Sequence, residues 1–280
     1  MTSSRQEYLL KQLRGKDYRL AFRAIPELRR LDRGSLANTV FGYKAKDEQR
    51  QFKFLVAHVV LDNGVAGLAE QWADLPWAYW REKLISEIGQ FLDAWIEESL
   101  IDLLITALND PYEKVGGQAV VVLRGCLQEP SEKELKSLAK TDAGKAHLRI
   151  KENVQKWITA QRRAHITEAL VAALARHSGN PKCLTWVDWY VDLLGHTANK
   201  SDQLAIELVE KLLPISGEPR RVEYQKLDPS NLPWPTNVLA EKKGVPPGTP
   251  MIRIAYTATG LLDITVIETA LKRIRSRESE

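Results

Sequence analysis

Cysteine and methionine are scarce in this chain, with two of each in 280 residues. Cys126 and Cys183 are too few and too far apart to form a disulfide framework or a metal-ligand spacing. The five histidines, His58, His147, His165, His177 and His196, are scattered and form no close helical cluster with Asp or Glu. There is no GxxxxGK[ST] loop, no GxSxG elbow and no HExxH pair. Gly64-Val65-Ala66-Gly67 and Gly116-Gly117 lack the spacing and preceding strand of a dinucleotide fingerprint. These absences exclude the common nucleotide-binding, hydrolase and zinc-protease signatures and predict no cofactor and no metal. No stretch reads as an uninterrupted apolar run of the roughly 18 residues needed to cross a bilayer, so no membrane association is expected. The start, MTSSRQEYLLKQLRGK, has no apolar h-region, and a cytoplasmic location is the simplest expectation.

What the chain does have is amphipathic helix. Apolar residues make up 44% and charged residues 27%, which suits packed helices with solvated outer faces and argues against wholesale disorder. The charge is uneven. Residues 1–60 hold 13 Lys or Arg against 6 Asp or Glu, a local balance of +7 within a total of +4, so the remainder sums to −3. A basic end on a near-neutral body favours anionic partners or serves as a solvated cap.

A helix-pair pattern recurs at three places. Leu103, Leu104 and Leu108 share one helix; Asn109-Asp110-Pro111 turns the chain; Val115, Ala119 and Leu123 follow at four-residue spacing. Leu9, Leu10 and Leu13, then Leu20, Ala24 and Leu28, repeat the scheme, and the interval Leu13 to Leu28 equals that from Leu108 to Leu123. A third copy uses Leu68, then Trp80, Leu84 and Ile88. Such units cannot bury their apolar faces alone, so they are expected to stack into an array with a groove.

About eleven helices are expected. Pairs fall at 4–14 and 17–31 (with a kink or break at Pro26), 34–43 and 47–62, 65–74 and 77–92, and 97–109 and 112–127. Asp62-Asn63-Gly64 reads as a stop signal. A short helix follows Pro130 through the Ser131-x-x-Glu134 capping pattern, and Asp142 is placed to cap a longer one. Helices at 164–177, 182–195 and 201–213 complete the array. Eight of the 13 prolines then lie between Pro214 and Pro250, an extended stretch in which Trp234 and Leu239 need cover. Residues 251–257 alternate as a short strand, and 264–274 reads as a last helix. The expectation is an all-α fold, residues 1–213 forming a helical-hairpin solenoid and residues 214–280 a proline-rich, partly irregular segment packed on it.

Leu104-x-x-x-Leu108-x-Asp110-Pro111-x-x-x-Val115-x-x-x-Ala119-x-x-x-Leu123 resembles the HEAT-repeat superfamily of α-solenoids. Gly116 stands where the family pattern has an Arg. The resemblance is good over 99–126, fair over 9–28 and 65–92, and weak beyond 130. It implies architecture more than function, since the fold serves scaffolds, transport receptors, lyases and nucleic-acid enzymes. It also implies that Arg19, Arg23 and Arg30 lie on the concave side.

Three constellations are candidates for function. A helical wheel with Leu20, Ala24, Leu28 and Leu31 inward gathers Arg19, Arg23, Arg30 and Arg33 on the opposite face, to follow a phosphate backbone, grip an acidic protein or simply meet water. Around Pro76, Trp77 and Trp80 read as core, while Tyr79 points elsewhere and is the better contact residue. Trp186, Asp188, Trp189 and Asp192 share one helix, resembling the HEAT-like DNA alkylation-repair glycosylases, where a carboxylate beside an aromatic wall stabilises a cationic sugar. No partner arginine is assignable from sequence. The leading expectation is a non-enzymatic scaffold or adaptor that binds a partner protein. The alternative is a nucleic-acid-binding protein using the basic N-terminal repeats, including a glycosylase-type enzyme.

Overall fold

In a computed structural model the protein is almost entirely helical. The structure describes residues 4–31, 47–128, 135–136, 138–178, 184–217, 221–226, 251–256 and 262–278. Among these residues there are twelve α-helices: α1 Ser4–Arg14, α2 Tyr18–Leu31, α3 Glu48–Glu70, α4 Ala78–Gln90, α5 Leu92–Trp95, α6 Leu100–Leu108, α7 Glu113–Leu127, α8 Asp142–Trp157, α9 Ala160–His177, α10 Leu184–Thr197, α11 Gln203–Glu210 and α12 Ile264–Ser276. The expected helix at 34–43, the capping pattern at Ser131 and the bulk of the proline-rich stretch, with Trp234 and Leu239, lie outside the described residues.

Helices pack both on their chain neighbours and on helices three further along. α1 lies on α2, α2 on α3, α3 on α6, α6 on α7, and α4 on α7. α9 packs on α6 and α10, and α10 on α7. The seams are the apolar stripes read from sequence. Leu9, Leu13 and Leu28 are sealed from solvent, as are Leu103, Leu104, Leu108, Val115, Ala119 and Leu123. Each fully buried Leu or Val stabilises by about 1.5–3 kcal/mol relative to exposure, so these stripes dominate the driving force.

The α2 wheel needs correction. Leu20 and Leu31, expected inward, are 41% and 47% exposed, while Ala21, Phe22, Ala24, Ile25 and Leu28 are buried. The helix turns to bury Phe22, whose ring meets Phe52 edge-on at 6.2 Å and Tyr18 at 6.1 Å. An aromatic ring hides more apolar area than a leucine, so it sets the face. Pro26 lies inside α2 without ending it.

The stop signal at Asp62-Asn63-Gly64 appears as a kink within α3, where Gly64 takes φ 69°. That conformation strains any residue with a Cβ. A Cβ there would also stand 2.5 Å from the Arg29 guanidinium. Arg29 pairs with Glu97, whose other oxygen accepts the Val65 N–H at 3.4 Å. The restarted helix therefore takes its cap from a carboxylate 32 residues away. By length and composition α3 is also apolar enough to cross a bilayer, which the sequence reading overlooked, but most of it is buried within this fold. Its buried positions include Lys53, whose ammonium donates to the Gly15 carbonyl at 2.5 Å, just past the end of α1. Burial lowers the pKa of that amine.

Further corrections are local. The cap of α8 is Thr141, whose side chain accepts the Gly144 N–H at 3.0 Å, in place of Asp142. Thr159 caps α9, which starts at Ala160, four residues before the expected start at 164. Strand β3 (Met251–Tyr256) forms as expected, and its partner β2 (Arg221–Lys226) falls inside the stretch read as extended coil. They pair antiparallel, Arg221 opposite Tyr256. Strand β1 (Ser216–Gly217) pairs parallel with β4 (Leu262–Asp263), which leads into α12. α12 packs closely along α10, where a Cβ on Gly195 would sit 2.9 Å from the Ala270 Cα.

Candidate functional site

The candidate site is built on α2 and α4, which pack together. Trp77 sits at the start of α4 with φ 57°, a left-handed conformation that is rare for a bulky residue. The turn it makes brings Tyr79 and Trp80 beside Tyr18. Trp80 meets Tyr79 edge-on at 4.9 Å and Tyr18 at 5.8 Å. Tyr79 is 51% exposed, as expected for a contact residue. Trp77 and Trp80 are only partly buried against the core rather than fully inside it.

Two cations rest on this aromatic group. The Arg19 guanidinium lies 5.8 Å from the Tyr18 ring, and the Lys83 ammonium 5.0 Å from the Tyr79 ring. Each such contact is worth about 0.5–1 kcal/mol at an exposed position. Lys83 is paired with Glu82 at 3.1 Å. Arg19 makes no ion pair with a carboxylate among the described residues. The surface therefore combines Tyr, Trp and Arg, the residue types most often dominant in protein interfaces.

The rest of the arginine stripe is turned to internal use. The Arg23 guanidinium lies 3.3 Å from the Phe91 ring centre. Arg30 donates to the Ala94 carbonyl at 2.9 Å and lines a 430 Å³ cleft with Arg29, Ile96 and Glu97. These contacts fasten α2 to α5 and the segment after it. Arg33 lies outside the described residues. Arg19, Arg23 and Arg30 are all exposed, and of these Arg19 is the one that lies on the Tyr18 ring beside Trp80 and Tyr79.

Sequence reasoning missed Glu87, because a lone Glu on a helix ordinarily faces water. Here it is buried, with one carboxylate oxygen lacking a hydrogen-bond partner. Burial raises its pKa above the ordinary 4.5, against the opposing pull of Arg23 and Arg19. A group whose folded pKa is raised favours the native state at low pH, and that contribution is lost as pH rises through the folded value. Glu87→Gln is therefore expected to stabilise the fold at pH 7, on the order of 1 kcal/mol, by removing a buried unsatisfied charge. The gain should vanish below pH 4.5, and denaturant titrations of both proteins across that range check it.

The third constellation is brought together, though differently from expectation. Trp186 and Trp189 meet edge-on at 4.9 Å on α10. Trp186 lies over Gly117 so closely that any Cβ there would collide with its ring, and the Tyr190 hydroxyl stands 2.7 Å from where a Gly116 Cβ would be. The Gly-Gly pair on α7 is thus a seat for α10. Asp188 is buried and accepts the Asp263 N–H at 3.2 Å, tying α10 to the entry of α12. Asp192 has the arginines that sequence failed to assign: Arg124 pairs with one oxygen, and Arg273 with the other at 3.3 Å. Those residues are 68 and 81 positions away, beyond any local pattern. No group of His, Cys, Asp and Glu suited to a metal ion occurs among the described residues. No protein-family model matches the chain, and no curated protein or solved structure matches it either.

Proposed function

We propose that this protein is a non-enzymatic interaction module, a HEAT-like helical solenoid that binds a partner protein through the surface of α2 and α4. The packing of helices on chain neighbours and on helices three further along supports the solenoid reading. The observation that carries the function is the exposed Tyr79, edge-on to Trp80, which in turn meets Tyr18, with Lys83 over the Tyr79 ring and Arg19 over the Tyr18 ring. Ordered aromatic rings offer large contact area at small entropic cost, and the neighbouring cations select a partner surface rich in carboxylates. A cytoplasmic adaptor fits this reading.

A photo-crosslinker placed at position 79 is expected to capture a protein in the native host. Arg19→Glu is expected to weaken that capture about tenfold, the equivalent of ~1.4 kcal/mol. A second reading, single-stranded nucleic acid, is favoured by the same rings, since bases stack on exposed aromatics beside cations. It predicts capture of nucleic acid whose yield falls steeply with salt.

A further inference from the structure

A second cleft, of about 570 Å³, opens where the C-terminal helix meets the body of the protein. Leu127 and Gln128 at the end of α7, Gln155 and Ile158 around the end of α8, Arg163 of α9, His196 of α10, and Arg273 and Arg277 of α12 and just beyond line it. Three guanidiniums face one space, and among the described lining residues there is no carboxylate. Asp192, which pairs with the lining residue Arg273, is shared with Arg124.

The arrangement is fixed by backbone and ring contacts. Arg163 donates to the His196 carbonyl at 3.2 Å, and Arg277 to the Ala198 carbonyl at 3.1 Å. Arg273 Nη1 lies 3.0 Å from His196 Nε2, so that nitrogen accepts and the imidazole proton sits on Nδ1. Burial first, and then the neighbouring Arg273, Arg277 and Arg124, hold the His196 pKa below its ordinary value, with Asp192 opposing. Each guanidinium presents a planar fork of donors matched to phosphate oxygens, and here three of them line one cleft. The exposed Gln128 and Gln155 add amide donors and acceptors at the rim.

We infer that this cleft binds the phosphate group of a small phosphorylated molecule. Its volume falls within the range of small-molecule sites, about 300–1,000 Å³. The apolar lining is Leu127 and Ile158; its one ring, the imidazole of His196, is engaged by Arg273, and no Phe, Tyr or Trp is among the lining residues to stack on a base. That favours a compact phosphate ester over a nucleic-acid strand. The site shares no residue with the α2–α4 surface and does not depend on the interaction reading.

The test is calorimetric titration of the full chain with inorganic pyrophosphate at constant ionic strength. Gln155→Glu is the informative variant, because Gln155 is exposed and the change adds a negative charge to the rim without disturbing a core contact. One-to-one saturable binding is expected, weakened about tenfold or more in Gln155→Glu and unchanged in Arg19→Glu. Thermal unfolding of each variant confirms that it is folded. Absence of saturable binding would overturn the proposal, as would equal affinity in a folded Gln155→Glu. Binding of a single-stranded oligonucleotide without binding of pyrophosphate would overturn it in favour of a polyanion surface.

Discussion

Asp110→Ala is expected to cost the native state about 3–5 kcal/mol, the usual consequence of removing one partner from a buried ion pair. Asp110 is buried and accepts four hydrogen bonds. Trp72 Nε1 donates at 2.9 Å, Arg81 Nε at 2.7 Å, Arg81 Nη2 at 3.1 Å and the Tyr112 N–H at 2.9 Å. Arg81 also donates to the Leu75 carbonyl at 2.6 Å. One carboxylate thus ties the turn between α6 and α7 to the turn before α4 and to the indole that follows α3. Alanine leaves a mostly buried guanidinium without its counter-charge and an indole N–H unsatisfied. Asp110→Asn is expected to be milder, since its oxygen still accepts while the charge is lost. Denaturant midpoints of the two variants against the parent check the order, Ala below Asn below parent.

Leu123→Asp is expected to be more severe, exceeding about 4–5 kcal/mol and leaving little folded protein. Leu123 is sealed between helices with no donor placed to receive a carboxylate. Val121→Asp, two residues away on the same helix and 41% exposed, is the control and should stay within about 1 kcal/mol of the parent. Circular dichroism with urea titration reads both. The wheel predicts that Arg124→Asp is mild because it turns from the seam; it does turn away, but to Asp192. Reversing it sets two carboxylates together, so its effect should fall between those two.

The helical character and most helix positions were legible because their signal is local: four-residue apolar spacing, the Asp110-Pro111 turn, and Gly64 where a positive φ is needed. The rotation of α2 was not, because Phe22 competes with Leu20 and Leu31 and the winner depends on Phe52, thirty residues away. Tyr79 was legible as an exposed ring, and Arg19 as an exposed cation. Their meeting through Tyr18 and Trp80 was not, because it joins two helices. The same holds for Arg124, Asp192 and Arg273, which read as three unrelated surface charges until α7, α10 and α12 are packed. Gly116-Gly117 matches no nucleotide fingerprint. The pair's cause is steric, the approach of Trp186 and Tyr190.

The central claim is that α2 and α4 present a protein-binding surface. Its most direct measurement is photo-crosslinking in the native host from position 79, with the same crosslinker at exposed position 121 as reference and nuclease treatment before analysis. The account predicts a discrete protein adduct from position 79 that survives nuclease, is absent from position 121 and fades in Arg19→Glu. Identical products from both positions, or an adduct at position 79 that disappears with nuclease, would contradict it.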